Sequence, residues 1–145
     1  MSGTSVHVMI LFKILTTFLH LFLDSSVIKI RLTGSKLYNE GQVEVYNGQN
    51  WGKVCANFWQ FQDAQVACRQ LGFADTQLRN QCCGTSNMQI NIGNISCTGS
   101  EPNLANCNQN NAANQLSQCS TTMSAQAFCV GKTKMNSTVV NLMLL

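Results

Sequence analysis

At 145 residues the chain has room for one domain, and its formal net charge of +3 is too mild and too dispersed for the basic stripe that nucleic-acid binding demands. Eight cysteines in so short a chain make a disulfide framework if the protein is exported and a metal or redox set if it stays in the cytosol, so the N-terminus decides their chemistry.

Residues 8–23, Val-Met-Ile-Leu-Phe-Lys-Ile-Leu-Thr-Thr-Phe-Leu-His-Leu-Phe-Leu, form an apolar block interrupted by Lys13, with Ser25 and Ser26 just beyond it. The uninterrupted part, Ile14 to Leu23, is about 10 residues long, whereas a helix crossing a bilayer needs about 20. An uncleaved anchor would also bury Lys13. We therefore read residues 1–26 as a secretory signal peptide, which makes the product extracellular and its cysteines oxidised.

Past the leader, Val27-Ile-Lys-Ile-Arg-Leu32 alternates apolar and basic side chains with the period of a half-buried strand, and Thr33-Gly34-Ser35 ends it. Val43 and Val45 then share one face and Glu44 and Tyr46 the other. Asn47-Gly48 is the positive-φ pair of a tight hairpin, and Trp51 to Cys55 returns as the partner strand.

Asp63 to Leu71 reads as a helix with Gln62 or Asp63 at its start and Gly72 at its end. Ala64, Ala67, Cys68 and Leu71 recur at helical steps, which turns Cys68 toward the core. Asn103 to Asn114, rich in Asn, is a loop held by its cysteines, and Ala125 to Val130 alternates as a closing strand. The apolar end, Val139 to Leu145, is too short to span a membrane, so residues 132–145 are taken as a loose tail.

The ordered motifs are Gly41-Gln-Val-Glu-Val45, Trp51-Gly-Lys-Val-Cys55, Val66-Ala-Cys-Arg-Gln-Leu-Gly72 and Cys97-Thr-Gly-Ser-Glu101, followed by Cys107, Cys119 and Cys129. This series resembles the scavenger receptor cysteine-rich domain, from about Ile30 to Val130. The resemblance implies a small disulfide-rich α+β domain over residues 27–131, with a curved antiparallel sheet cradling one main helix and long loops. It implies the bridges Cys55–Cys119, Cys68–Cys129 and Cys97–Cys107. Asn39 and Phe73 stand where one subgroup has a further bonded pair, so the chain looks like the subgroup with six framework cysteines. Cys82 and Cys83 lie outside that scheme. A local vicinal staple is preferred for them, with a bond to another chain or a competing pairing left open.

Many relatives of that family bind through a divalent cation held by acids at positions that here read Ala56-Asn57, Gly93-Asn94 and Met123-Ser124. Neutral amides are poor ligands for a hard cation, so neither metal nor cofactor is expected, and recognition should need no calcium. The strip Val43 to Val54 resembles a segment implicated in bacterial recognition. Within it the valines read as core, while Tyr46 and Lys53 are the candidate ligand contacts, because alternation can turn them outward.

An enzyme is not expected. Both histidines, His7 and His20, fall in the leader, and the acids Glu40, Glu44, Asp63, Asp75 and Glu101 form no pair in sequence. Sequons at Asn94-Ile-Ser96 and Asn136-Ser-Thr138 are candidate glycan sites.

The leading expectation is a secreted module that binds microbial or polyanionic surfaces. The alternatives are an adhesive module for a host protein ligand, and a fragment of a multidomain receptor. Membrane attachment enters only with an uncleaved leader or such a fragment. Mass analysis of the secreted protein should find its N-terminus at Val27; a secreted form that still carries Met1 would reject the leader.

Overall fold

The computed structural model describes residues 4–22, 27–78, 87–109, 117–119 and 122–132. Helix α1 (Thr4–Phe22) has exposed side chains from Val6 to Thr17, and no helix among the described residues is long and apolar enough to cross a membrane. The cleavage position after Ser26, Cys82, Cys83, Asn136 and all of the tail past Lys132 lie outside the described residues.

The sheet is laid on β2 (Glu40–Tyr46). Strand β1 (Ile30–Thr33) pairs with it antiparallel, Ile30 opposite Val45 and Leu32 opposite Val43. The end of β2 pairs with β3 (Trp51–Val54), Tyr46 opposite Trp51, and its start pairs with β8 (Gln126–Lys132), Glu40 opposite Phe128. Strand β8 also carries the edge strand β4 (Phe73–Thr76). At the other edge β5 (Ile90–Ile92) runs parallel to β3, giving the order β4-β8-β2-β3-β5.

The sheet is therefore mixed, where an antiparallel one was expected. A parallel pair needs a crossover, and the chain between residues 55 and 89 provides it through α2 (Phe61–Gln70) and β4. A short ladder of β6 (Ile95–Ser96) and β7 (Asn108–Gln109) stands apart.

Two local expectations are corrected. The β2–β3 connection is a four-residue loop, residues 47–50, and Gly48 alone has positive φ (97°). Asn47 makes the second left-handed residue unnecessary, because its Oδ1 accepts the N–H groups of Gln49 (2.9 Å) and Asn50 (2.8 Å) and so replaces part of the backbone turn. Helix α2 begins at Phe61, with Gln60 as N-cap and Asp63 in the first turn. From there the Asp63 carboxylate reaches back to accept the Gln60 N–H at 2.7 Å, which is what an acid at the third helical position does. Gly72, at φ +86°, ends the helix by donating its N–H to Arg69 O at 2.9 Å.

The core joins Val43, Val45 and Val54 of the sheet to Val66, Ala67 and Cys68 of α2, with Ile95 and Leu104 closing it. Among the described residues three disulfides tie it: Cys55–Cys119, Cys68–Cys129 and Cys97–Cys107, with Cα separations of 5.5, 5.3 and 4.7 Å. Asn39 and Phe73 make other ties. The Asn39 side-chain amide donates to Cys129 O at 2.8 Å, the Asn39 main-chain carbonyl accepts the Cys129 N–H at 2.7 Å, and Phe73 stacks on Tyr38 at 6.0 Å.

Asp63 and Glu101 fasten loops. Asp63, 1% exposed, uses its other oxygen to accept the Cys97 N–H at 2.7 Å. Burial pushes its carboxyl up from the ordinary value, against the two N–H groups that hold it down. Glu101 accepts the N–H groups of Thr98 (2.7 Å) and Gly99 (3.0 Å), while Arg69 donates to the carbonyls of Gly99 and Glu101. The Thr98 N–H is the main reason the Glu101 carboxyl lies below its ordinary 4.5.

Replacing Cys68 and Cys129 together by alanine reopens a loop spanning 61 residues, and denaturant unfolding should show a loss of about 4 kcal/mol by the chain-entropy account. Because the Glu101 pKa is depressed on folding, its contribution is complete above 4.5 and is lost as pH falls through the lower folded value. Amide exchange at Thr98 and Gly99 should therefore lose protection selectively on acidification below 4.5, and at every pH in Glu101→Ala.

Candidate functional site

The outer side of the β1–β2–β3 corner brings together residues that are remote in sequence. Alternation along the segment leading into and through β1 turns Ile28, Ile30 and Leu32 toward the core and leaves Lys29 and Arg31 exposed. Across the hairpin, Tyr46 and Trp51 are direct partners with ring centroids 5.4 Å apart.

The two cations sit over these two rings. The Arg31 guanidinium carbon lies 4.1 Å from the centroid of Trp51, and Lys29 Nζ lies 6.0 Å from that of Tyr46. Both distances fall within the range where a ring quadrupole attracts a cation. The Tyr46 N–H also donates to Lys29 O at 2.9 Å, which fixes the spacing of this pair through the backbone.

Glu44 sets the arginine. It faces Arg31 across the β1–β2 pair, and its side chain is 6% exposed against 46% for Arg31. Arg31 Nε and Nη2 each lie 2.7 Å from Glu44 Oε2, and the Thr33 hydroxyl donates to Oε1 at 2.7 Å. A buried carboxylate is tolerable only when paired and hydrogen-bonded, and here both oxygens are engaged. The guanidinium is thus locked between an acid and a ring, with its remaining N–H groups still available at a half-exposed surface.

Of the two contacts expected from alternation, Tyr46 belongs to this face and Lys53 does not. Lys53 is 0% exposed, and burial lowers its pKa. The alternation argument assumed a strand with one wet face. β3 instead lies between β2 and β5, and Gly52, Lys53 and Val54 are all buried. Arg69 is also committed inward, to the carbonyls of the 99–101 loop. Lys29, Arg31, Lys36 and Lys132 are the exposed cations beyond α1 among the described residues.

Sequence reasoning did not join Lys29 and Arg31 to the two rings. Their signal was the basic alternation of Val27 to Leu32, but the rings that they cover lie 17 and 20 residues away, and only the strand register joins them.

The three stretches weighed for a cation gather around Cys55–Cys119. The Cys55 N–H donates to Ile92 O at 2.9 Å, the Ala125 N–H to Val54 O at 3.0 Å, and the Asn57 amide to Gln118 O at 2.6 Å. They bring neutral side chains there. Among the described residues, the group of potential ligands at metal-binding separation is Cys97, Glu101 and Cys107, whose two sulfurs are bonded to each other and so offer no thiolate. Asn94 is half-buried in the link between β5 and β6, with Ser96 exposed.

Residues 33–130 match the family model of the scavenger receptor cysteine-rich domain. Galectin-3-binding protein of Bos taurus is 36% identical over 107 residues, which cover 72% of this chain and 19% of that protein. A scavenger receptor cysteine-rich domain superfamily protein of Patiria pectinifera is 34% identical over 109 residues, covering 73% of this chain and 9% of that protein. The chain thus spans less than a fifth of the length of either relative. The crystal structure of the third such domain of murine neurotrypsin superposes with a TM-score of 0.60 at 30% identity, covering 70% of this chain and 95% of that one. With its motifs in order, its three bridges and one core helix against a mixed sheet, the chain belongs to the scavenger receptor cysteine-rich domain family, typically a non-enzymatic binding module.

Proposed function

We propose that this chain is an exported binding module, with residues 1–26 removed and 27–131 forming the domain, that recognises polyanionic surfaces, microbial ones among them. The observation that carries this reading is the seating of Arg31 over Trp51 and Lys29 over Tyr46 on one exposed corner. Sulfated or phosphorylated glycans present anionic groups beside flat sugar faces, so they suit cations held at fixed spacing next to aromatic rings.

The two cations have different parts. Glu44 offsets much of the Arg31 charge, so Arg31 supplies directed N–H groups more than net charge. Lys29 makes no ion pair among the described residues and supplies attraction at longer range. Neither part calls on a metal, and the neutral side chains near Cys55–Cys119 support recognition without calcium. Glycans on Asn94 and Asn136 are proposed as its modifications.

Heparin and whole bacteria are suitable ligands for the test, with calcium, with chelator and with raised salt. Lys29→Gln and Arg31→Gln should each weaken heparin binding roughly 3- to 10-fold, consistent with about 1 kcal/mol per exposed charged contact. Raised salt should weaken it further, and chelator should leave it unchanged. Binding that requires calcium, or that survives both substitutions, would overturn the reading. Saturable binding to one host protein, unmoved by polyanions, would put an adhesive role in its place.

A further inference from the structure

Asn47 is the only asparagine of the chain that is followed by glycine, and the hairpin loop holds its side chain in a defined place. Its Oδ1 reaches past Gly48 to accept the N–H groups of Gln49 at 2.9 Å and Asn50 at 2.8 Å, which folds the carboxamide back toward the intervening Gly48 nitrogen. That nitrogen is unoccupied. The Gly48 N–H has no partner among the described residues, and glycine carries no side chain to shield it. Gly48 stands at φ +97°, where an L side chain is strained, so the turn itself favours this unshielded residue.

The Asn47 side-chain carbonyl is the matching electrophile. When the Gly48 nitrogen adds to Cγ, negative charge develops on Oδ1, and two backbone N–H groups already point at that oxygen. Donors fixed where charge develops stabilise the transition state more than the ground state. The nitrogen that must leave, Nδ2, is held by a long 3.4 Å bond to Asn91 Oδ1, and that oxygen keeps a shorter bond from Gln89 Nε2 at 2.8 Å. Residues 47–50 are all exposed, so water has access to the product.

The loop also borders the candidate site. Asn47 and Gly48 line one shallow hollow together with Lys29 and Tyr46. A carboxylate at position 47 would stand beside the lysine that makes no ion pair among the described residues and would compete with an anionic ligand for it.

We propose that Asn47 is a self-modifying site whose product turns down the face carrying Lys29 and Tyr46. The Gly48 nitrogen bonds to Asn47 Cγ and gives its proton to water, the Cγ–Nδ2 bond breaks, and Nδ2 leaves as ammonia, closing a succinimide. Water then opens that ring at either carbonyl to give aspartate or isoaspartate, with no oxidation or reduction and no reactant besides water. Both products replace a neutral amide by a carboxylate, and isoaspartate also reroutes the main chain through the side-chain carbon. The effect on binding rests on the polyanion reading above, whereas the modification itself does not.

The test is peptide mapping by mass spectrometry, with an isoaspartate-specific methyltransferase as second readout, on the secreted protein aged in mildly alkaline buffer at body temperature. The same protein, reduced and held in guanidinium chloride, is the reference. Acid at residue 47 should accumulate several-fold faster in the folded protein than in the reference, and Gln49→Pro, which removes one of the two donors, should slow the folded rate several-fold. Should that variant not fold, the ratio of folded to reference rates in the parent decides alone. Accumulation no faster in the folded protein, or a folded rate unmoved or raised by Gln49→Pro, would overturn the proposal. Asn47→Ser, whose hydroxyl still accepts a turn N–H, should form no acid and keep heparin binding. Asn47→Asp should weaken heparin binding roughly 3-fold, the size of one exposed charge contact. Equal heparin affinity of Asn47→Asp and the parent would reject the effect on the face. A parent that does not bind heparin at all would reject the polyanion reading instead, and the mass of the peptide carrying residue 47 would still decide whether the site modifies itself.

Discussion

The Cys68–Cys129 bridge is the constraint on which the rest of this domain depends. Cys68 sits on the inner face of α2 and Cys129 in the middle of β8, both 0% exposed, so the bond pins the helix to the strand that joins β4 to β2. The core around it is small and built largely of valine and alanine. A single bridge over a loop this long contributes on the order of 4 kcal/mol, a large share of the roughly 5–15 kcal/mol by which a native domain is stable. With the helix fixed, its ends hold the loops. Asp63 takes the Cys97 N–H at one end, and Arg69 takes two carbonyls of the 99–101 loop at the other.

The same frame explains how a charged residue in the middle of the central strand becomes useful. β2 is buried on both sides, so Glu44 lies inside the structure instead of on a wet face. Its desolvation is offset by Arg31 and Thr33, and in meeting that need Arg31 is turned onto Trp51. A cation whose rotamer is already chosen loses less entropy when a ligand arrives than a free surface lysine does. The corner is thus preorganised by a core requirement, and the binding proposed for it would follow from the fold's own electrostatics.

Much of the architecture could be read from the chain because its signals are local. The Val43 and Val45 alternation, the helical spacing of Ala64, Ala67 and Cys68, and the closing Ala125 to Val130 strand each place their residues in the core within a residue or two of the observed limits. The errors arose where a side-chain hydrogen bond, or a strand arriving from elsewhere in the chain, decided the outcome. Asp63 and Asn47 used their side chains on backbone N–H groups nearby and so moved a helix start and a turn type. Lys53 was misplaced because alternation assigns a side to a residue but is blind to what covers that side. β5 arriving parallel beside β3 is a tertiary event, with no trace in the sequence of β3 itself.

The sequence alone determined the class of this protein: ordered cysteines and glycine-tryptophan motifs at characteristic spacings, an apolar N-terminal block, and residues 27–145 without histidine or paired acids. Those features rest on covalent chemistry and local periodicity, which act over a few residues and survive without coordinates. The tertiary structure decided which cations face solvent and which rings they cover. These are juxtapositions across strands and loops, set by register and by burial, and no spacing along the chain encodes them.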